Sequence, residues 1–109
     1  MYDYQKFDNL NSTGPLAPHP EIMHYVYVLK SVKLGELYIG QTNDLKRRFV
    51  EHNDKKNIST KNKAPFKLVY YEAYQSQSDA KYREKQLKRH SQAYVALKDR
   101  LKNSIMISG

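Results

Sequence analysis

HYVYVLKSVKLGELYIGQTNDLKRRFVEHN, residues 24–53, sets the architecture of the chain. Residues 25–29 (YVYVL) and 37–41 (LYIGQ) are dense in β-branched and aromatic side chains, which fit a pleated, half-buried surface, and they read as two strands. The loop between them, SVKLGE, holds Gly35, which can take a positive φ without a Cβ clash. A helix is expected from Asp44, with Asn43 as its N-cap, because a short amide side chain can accept from an orphan backbone N–H. Arg48 and His52 lie four apart and project from one face of that helix, so strand tyrosines and helix cations can converge on one spot.

Working outward, residues 1–22 hold three of the four prolines and show no sustained periodicity. Asn, Ser, Thr, Gly and Pro cluster from Asn9 to Pro20, and the segment is expected to be a disordered leader. Residues 53–65 (NDKKNISTKNKAP) carry Lys55, Lys56, Lys61 and Lys63. They read either as a solvated linker or as a basic flap against a phosphate backbone, with Ser59 and Thr60 as neutral donors. Residues 67–74 (KLVYYEAY) form a third strand, with Val69, Tyr71 and Ala73 on one face and Leu68, Tyr70, Glu72 and Tyr74 on the other. SQSD at 76–79 is a capping-box-like start for a helix running to about His90. A last helix spans 92–102 with Ser91 as cap, and residues 103–109 should fray. The order β-β-α-β-α-α specifies an α+β fold: one domain over 23–102, a small three-stranded antiparallel sheet flanked by helices.

In the second helix Ala80, Glu84 and Leu87 share a stripe, while Lys81, Lys85 and Lys88 lie mainly on other faces. An acid on an apolar stripe is unusual unless it is paired or holds a metal. Taken singly, each polar residue of interest has an ordinary reading. Tyr27 and Tyr38 are then sheet residues, and Arg48 is a surface or phosphate contact with Arg47 an equal candidate. His52 becomes a helix C-terminal histidine facing the macrodipole. Glu84 becomes half of an ion pair with Lys81 or Lys88.

With 109 residues the chain is one domain, and a unit of about 80 residues buries only about two-thirds of its unfolded surface. The absence of cysteine excludes disulfide staples and thiolate metal sites. No apolar run reaches bilayer length and no signal-peptide pattern opens the chain, so a soluble, cytoplasmic protein is expected. Nineteen Lys and Arg against eleven Asp and Glu leave a net charge of +8, which fits a solvated surface or a nucleic-acid partner. The ten tyrosines offer stacking faces with hydroxyls, though most belong in the core or on the sheet.

Tyr25-Val26-Tyr27, then Tyr38-Ile39-Gly40 with the tyrosines Tyr27 and Tyr38 eleven apart, resemble the paired motifs of the GIY-YIG nuclease family. Arg48 stands ten residues after Tyr38 and His52 four later, where that family carries an arginine and a histidine or tyrosine. Glu84, in KYREKQLK, matches its metal-binding glutamate. The resemblance covers roughly residues 23–102 and is similar to the short, stand-alone, single-domain branch and to the nuclease domain of the excision-repair endonuclease. The chain departs in reading YVY for GIY, in carrying Gln41 where the excision-repair relatives have lysine, and in lacking a clear late asparagine.

What the resemblance implies is a metal-dependent DNA endonuclease, acting in repair or recombination, with Mg²⁺ or Mn²⁺ held by Glu84. Tyr27 would accept or relay the proton of the attacking water, and Arg48 would stabilise charge on the scissile phosphate. The metal would stabilise the leaving 3′ oxygen, and Tyr38 and His52 would position water or phosphate. Arg47, Lys55, Lys56, Lys61, Lys63, Lys81, Lys85 and Lys88 would contact the nucleic acid. The alternatives are a binding module that has lost turnover on this scaffold and a small RNA-binding protein.

Overall fold

The computed structural model describes residues 22–54, 60–88 and 90–107. The leader expected at 1–22 lies outside these except for Ile22. Strands β1 (His24–Ser31), β2 (Leu37–Thr42) and β3 (Phe66–Tyr74) form one antiparallel sheet in the order β2-β1-β3. Helices α1 (Leu45–Asn53), α2 (Gln77–Gln86), α3 (Gln92–Arg100) and α4 (Lys102–Met106) complete the described elements. The fold is the expected α+β arrangement.

β1 is central because both of its faces are buried. Val26 and Val28 face a cluster of Ala80, Leu87, Leu97 and Leu101 from α2, α3 and the α3–α4 junction. Tyr27 and Leu29 face Leu45, Ala64 and Phe66 on the side that carries α1. A strand covered on both sides reads as a nearly unbroken apolar run, as VYVL does. The β1–β2 turn uses Gly35 at φ 75°, as its sequence required. Buried Ser31 holds that turn by accepting from Leu34 N at 3.0 Å and donating to Lys63 O at 2.6 Å.

The structure corrects several local expectations. The N-cap of α1 is Asp44, not Asn43: its backbone is not yet helical, and its Oδ1 accepts from Arg47 N at 3.0 Å. α2 stops at Gln86 rather than near His90. The Ser91 hydroxyl takes the Gln86 carbonyl and also caps α3, while His90 turns the chain at φ 55°. On β3 the pairing jumps from Val28↔Tyr70 to Leu29↔Leu68, leaving Val69 as the extra residue of a bulge. Val69 therefore packs with Tyr70 and Tyr74, not with Tyr71 as strict alternation would place it. The last helix runs over Lys102–Met106, so residues 103–106 of the tail expected to fray are helical, and Lys30 Nζ donates to Ile105 O at 2.6 Å.

One polar network bears on the site. Glu72 is mostly buried and accepts from Tyr70 and Tyr74 hydroxyls and from two nitrogens of Arg83, Nε at 2.8 Å and Nη2 at 3.2 Å. Burial alone would raise the Glu72 carboxyl, but these donors outweigh it and hold it below its ordinary value. Burial and the carboxylate push both tyrosines up to about 12. Arg83 precedes Glu84, so the pair clamps α2 to β3 beside the candidate metal residue. Replacing Arg83 with Met should destabilise the fold by about 1.5–3 kcal/mol, the range for a hydrogen bond to a charged group. An unchanged urea midpoint would contradict this.

Candidate active site

Tyr27 stands opposite Gly40 in the β1–β2 ladder. A Cβ built on Gly40 would come within 2.2 Å of the Tyr27 hydroxyl oxygen and 2.4 Å of Cζ. The glycine is needed for space: it lets the phenol ring lie across β2. So placed, the Tyr27 hydroxyl reaches His52 Nε2 at 3.0 Å. His52, in the last turn of α1, is completely buried, and its Nδ1 lies 2.8 Å from Thr60 Oγ1. Rings of Tyr38, Phe66 and Tyr27 meet the imidazole edge-on at 5.2, 5.8 and 5.9 Å between centroids. Asn53 fixes the end of α1 by exchanging two hydrogen bonds with the backbone of Phe66, at 2.6 and 3.2 Å.

Burial, reinforced by the positive Arg48, pushes His52 below its ordinary value of 6.5. It is therefore a neutral imidazole at pH 7, with one N–H and one lone pair. It is not the exposed helix-terminal cation that its position in the sequence allows.

Arg48, one turn earlier, lies near enough for its positive charge to favour the ionised form of Tyr27, and it pairs with Glu51 at 3.3 Å. Around Tyr27, burial raises the hydroxyl, Arg48 lowers it, and Tyr38 and Glu84 raise it, leaving it above 10. Tyr27 is thus a neutral phenol at rest.

At the Tyr27 hydroxyl His52 makes a direct contact, and the charges of Arg48, Tyr38 and Glu84 act on it. Glu84 is three-quarters buried and carries the ion pair with Lys88 read as its ordinary role, Nζ to Oε2 3.3 Å. Lys88 is half exposed, so this pair is weak and exchangeable. Among the described residues no three His, Cys, Asp or Glu gather as a metal cage. A single, mostly buried carboxylate is a donor that fits Mg²⁺, which keeps waters and takes substrate oxygens. A cleft of about 330 Å³ reaches Tyr38 from the Leu37, Ile39 and Leu87 side, but Tyr27, Arg48, His52 and Glu84 do not line it.

Of the expected nucleic-acid contacts, Lys55 and Lys56 lie outside the described residues. Lys61, Lys81 and Lys85 are exposed. Arg47 is exposed beside Asp44, and Lys63 is 3.0 Å from Glu36. Thr60, expected as a donor to phosphate, is fully buried behind His52 instead. The steric role of Gly40 and the clamp at Glu72 were also not read from the sequence.

Comparison with known proteins agrees with this geometry. Residues 23–98 match the GIY-YIG catalytic domain. The UPF0213 protein of Staphylococcus saprophyticus is 38% identical over 69 residues, 62% of this chain and 83% of the relative. That of Clostridium perfringens is 40% identical over 68 residues, 62% and 72% of the two chains. That of the archaeon Halobacterium salinarum is 38% identical over 72 residues, 65% and 92%. No solved structure matches.

Gly40→Ala should cost about 1–3 kcal/mol, the usual penalty for overpacking, because the new methyl meets the Tyr27 ring. In a Tyr27→Leu background the same change should cost markedly less, a coupling that a double-mutant cycle in urea measures. Additive costs would mean that the ring does not occupy that space.

The buried histidine predicts a pH effect whose sign is set by the lowered folded-state value. The unfolded chain takes up this proton more readily, so the stability from neutral His52 is present above 6.5 and lost as pH falls through the folded-state value. Melting temperature should therefore decline below pH 6.5, and the decline should be shallower in His52→Gln. Parallel pH profiles for the two proteins would contradict it.

Proposed function

We propose, for a chain that belongs to the GIY-YIG family, that it is a divalent-metal-dependent DNA endonuclease that hydrolyses phosphodiester bonds, with Tyr27, Tyr38, Arg48, His52 and Glu84 as its site. The observation that supports this best is the 3.0 Å contact of the Tyr27 hydroxyl with the neutral imidazole of His52, within reach of the Arg48 charge. Tyr27, as phenolate, takes a proton from water while the water oxygen forms its bond to phosphorus and the bond to the 3′ oxygen breaks. Because Tyr27 rests as the phenol, its own proton must first leave to solvent, and the nearby donors favour that loss.

Arg48 grips the phosphate with two parallel N–H groups in place of its bond to Glu51. Glu84 would hold the Mg²⁺ or Mn²⁺, and the ion would supply charge stabilisation for the leaving oxygen. Tyr38 and His52 orient the water and the tyrosine. The exposed cations Arg47, Lys61, Lys81 and Lys85, with Lys55, Lys56, Lys63 and Lys88, track the backbone on either side. No described helix is long and apolar enough to cross a membrane. With a cysteine-free chain, this fits a cytoplasmic enzyme of DNA repair or recombination.

Glu84→Gln tests the assignment while keeping size and shape. Cleavage of nicked, flapped, branched and single-stranded DNA should fall to background at any practical Mg²⁺ or Mn²⁺ concentration, with DNA affinity equal or higher and melting temperature unchanged. A destabilised but fully active variant would place Glu84 in a structural ion pair. A wild type that binds DNA or RNA but cleaves neither would establish the binding-module reading.

A further inference from the structure

Thr60 carries a chemical consequence that neither the motifs nor the family match assigns. Its side chain is completely buried, and among the described residues the one partner of its hydroxyl is His52 Nδ1 at 2.8 Å. The other ring nitrogen of His52 lies 3.0 Å from the Tyr27 hydroxyl. The three groups thus form a short chain, Thr60–His52–Tyr27, around a neutral imidazole.

Such a chain contains two hydroxyl protons and one ring N–H but only two contacts, so one proton must be directed elsewhere. The direction of the chain decides which. If Nδ1 carried the hydrogen, it would donate to Thr60, the Tyr27 proton would go to Nε2, and the Thr60 proton would be left without an acceptor among the described residues. A buried donor without an acceptor is more costly than an acceptor with a spare lone pair. In the opposite direction Thr60 donates to Nδ1, Nε2–H donates to Tyr27, and the spare proton emerges from Tyr27. That end is the one surrounded by the other site groups: Arg48 from α1, Tyr38 from β2 and Glu84 from α2.

We infer that Thr60 is a positioning residue whose hydroxyl donates to His52 Nδ1, fixes the ring as the Nε2–H form, and makes the Tyr27 oxygen accept from His52. That donor and the nearby Arg48 charge stabilise the phenolate and leave a lone pair for the proton of water. The same arrangement keeps His52 from capturing the Tyr27 proton. The catalytic part of this inference rests on the proposed nuclease reaction, whereas the direction of the hydrogen bonds does not.

Nitrogen-15 NMR of histidine-labelled protein, free of metal and nucleic acid at neutral pH, reads the tautomer directly. The wild type should show His52 with its proton on Nε2 and a bare Nδ1. Thr60→Val keeps the branched shape and removes the donor. It should release His52 into a mixture of tautomers, and cleavage should fall about 10- to 100-fold, as for other groups that orient a site histidine through its second ring nitrogen. Thr60→Ser should restore both the Nε2–H signature and the rate. A proton on Nδ1 in the wild type overturns the inference, as does a Thr60→Val protein with unchanged tautomer and unchanged rate. If Thr60→Val fails to fold, the wild-type spectrum and the serine variant still decide. If the wild type cleaves nothing, the nuclease reading and the catalytic role fail together, while the spectrum alone judges the hydrogen-bond direction.

Discussion

A phenol ring can lie across a neighbouring strand only where that strand has no side chain, and the Tyr27–Gly40 contact imposes this on the molecule. It fixes the β1–β2 register, because a slip of one residue would bring Ile39 or Gln41 beneath the ring. It sets the height at which the hydroxyl ends, and therefore where α1 must deliver His52. α1 in turn is held at its start by Asp44 and at its end by the exchange of bonds between Asn53 and Phe66. The return of the chain from α1 to β3 passes Thr60 behind the imidazole and Lys63 O against Ser31. One close approach thus organises the sheet register, a helix terminus and the connection that follows.

The opposite face of the sheet has a different task. α2 packs there through Ala80 and Leu87, yet its Glu84 is close enough for its charge to be felt at Tyr27. A helix with so few buried contacts of its own needs an orienting restraint, and the Glu72–Arg83 pair supplies it one residue before Glu84. Charge-assisted, two-pronged bonds fix rotation about the helix axis in a way that apolar contacts do not. The acid of the site and the clamp of the fold are therefore adjacent but separate, each with its own cation: Lys88 for Glu84 and Arg83 for Glu72.

Much of this is legible in the amino-acid sequence. Alternating β-branched and aromatic residues mark all three strands, and the spacing that singles out Tyr27, Tyr38 and His52 picks residues whose rings meet. What escapes depends on three-dimensional detail that no local pattern encodes. Val69 changes face because a bulge inserts one residue, which breaks the period of two without altering composition. Residues 102–106 become helical because Ile105 finds the core and its carbonyl finds Lys30, a contact across 75 positions. Thr60 sits in a polar, lysine-rich stretch that reads as solvated; a signal was available only in the buried histidine that needed a partner for its second nitrogen. Gly40 reads as one letter of a motif, and its steric meaning requires the ring above it.

The balance of charge explains how a neutral centre can serve a strongly basic protein. Around Tyr27 the acids and cations cancel: Arg48 with Glu51, Lys88 with Glu84. The excess of +8 therefore belongs to the periphery, in side chains such as Lys61, Lys81 and Lys85 that water solvates freely. Exposed charges attract a polyanion over roughly 10 Å at moderate ionic strength but fix no geometry. In the proposed reaction Arg48 would supply the geometry, and its present partner does not compete strongly. The Arg48 and Glu51 side chains are 34% and 31% exposed at 3.3 Å, conditions in which an ion pair contributes about 0–1 kcal/mol. A phosphate carries its charge on several oxygens and can take both prongs of the guanidinium, so it displaces Glu51 at small cost. In the proposed reaction peripheral lysines would set the rate of encounter, and the exchange at Arg48 would convert encounter into register beside Tyr27.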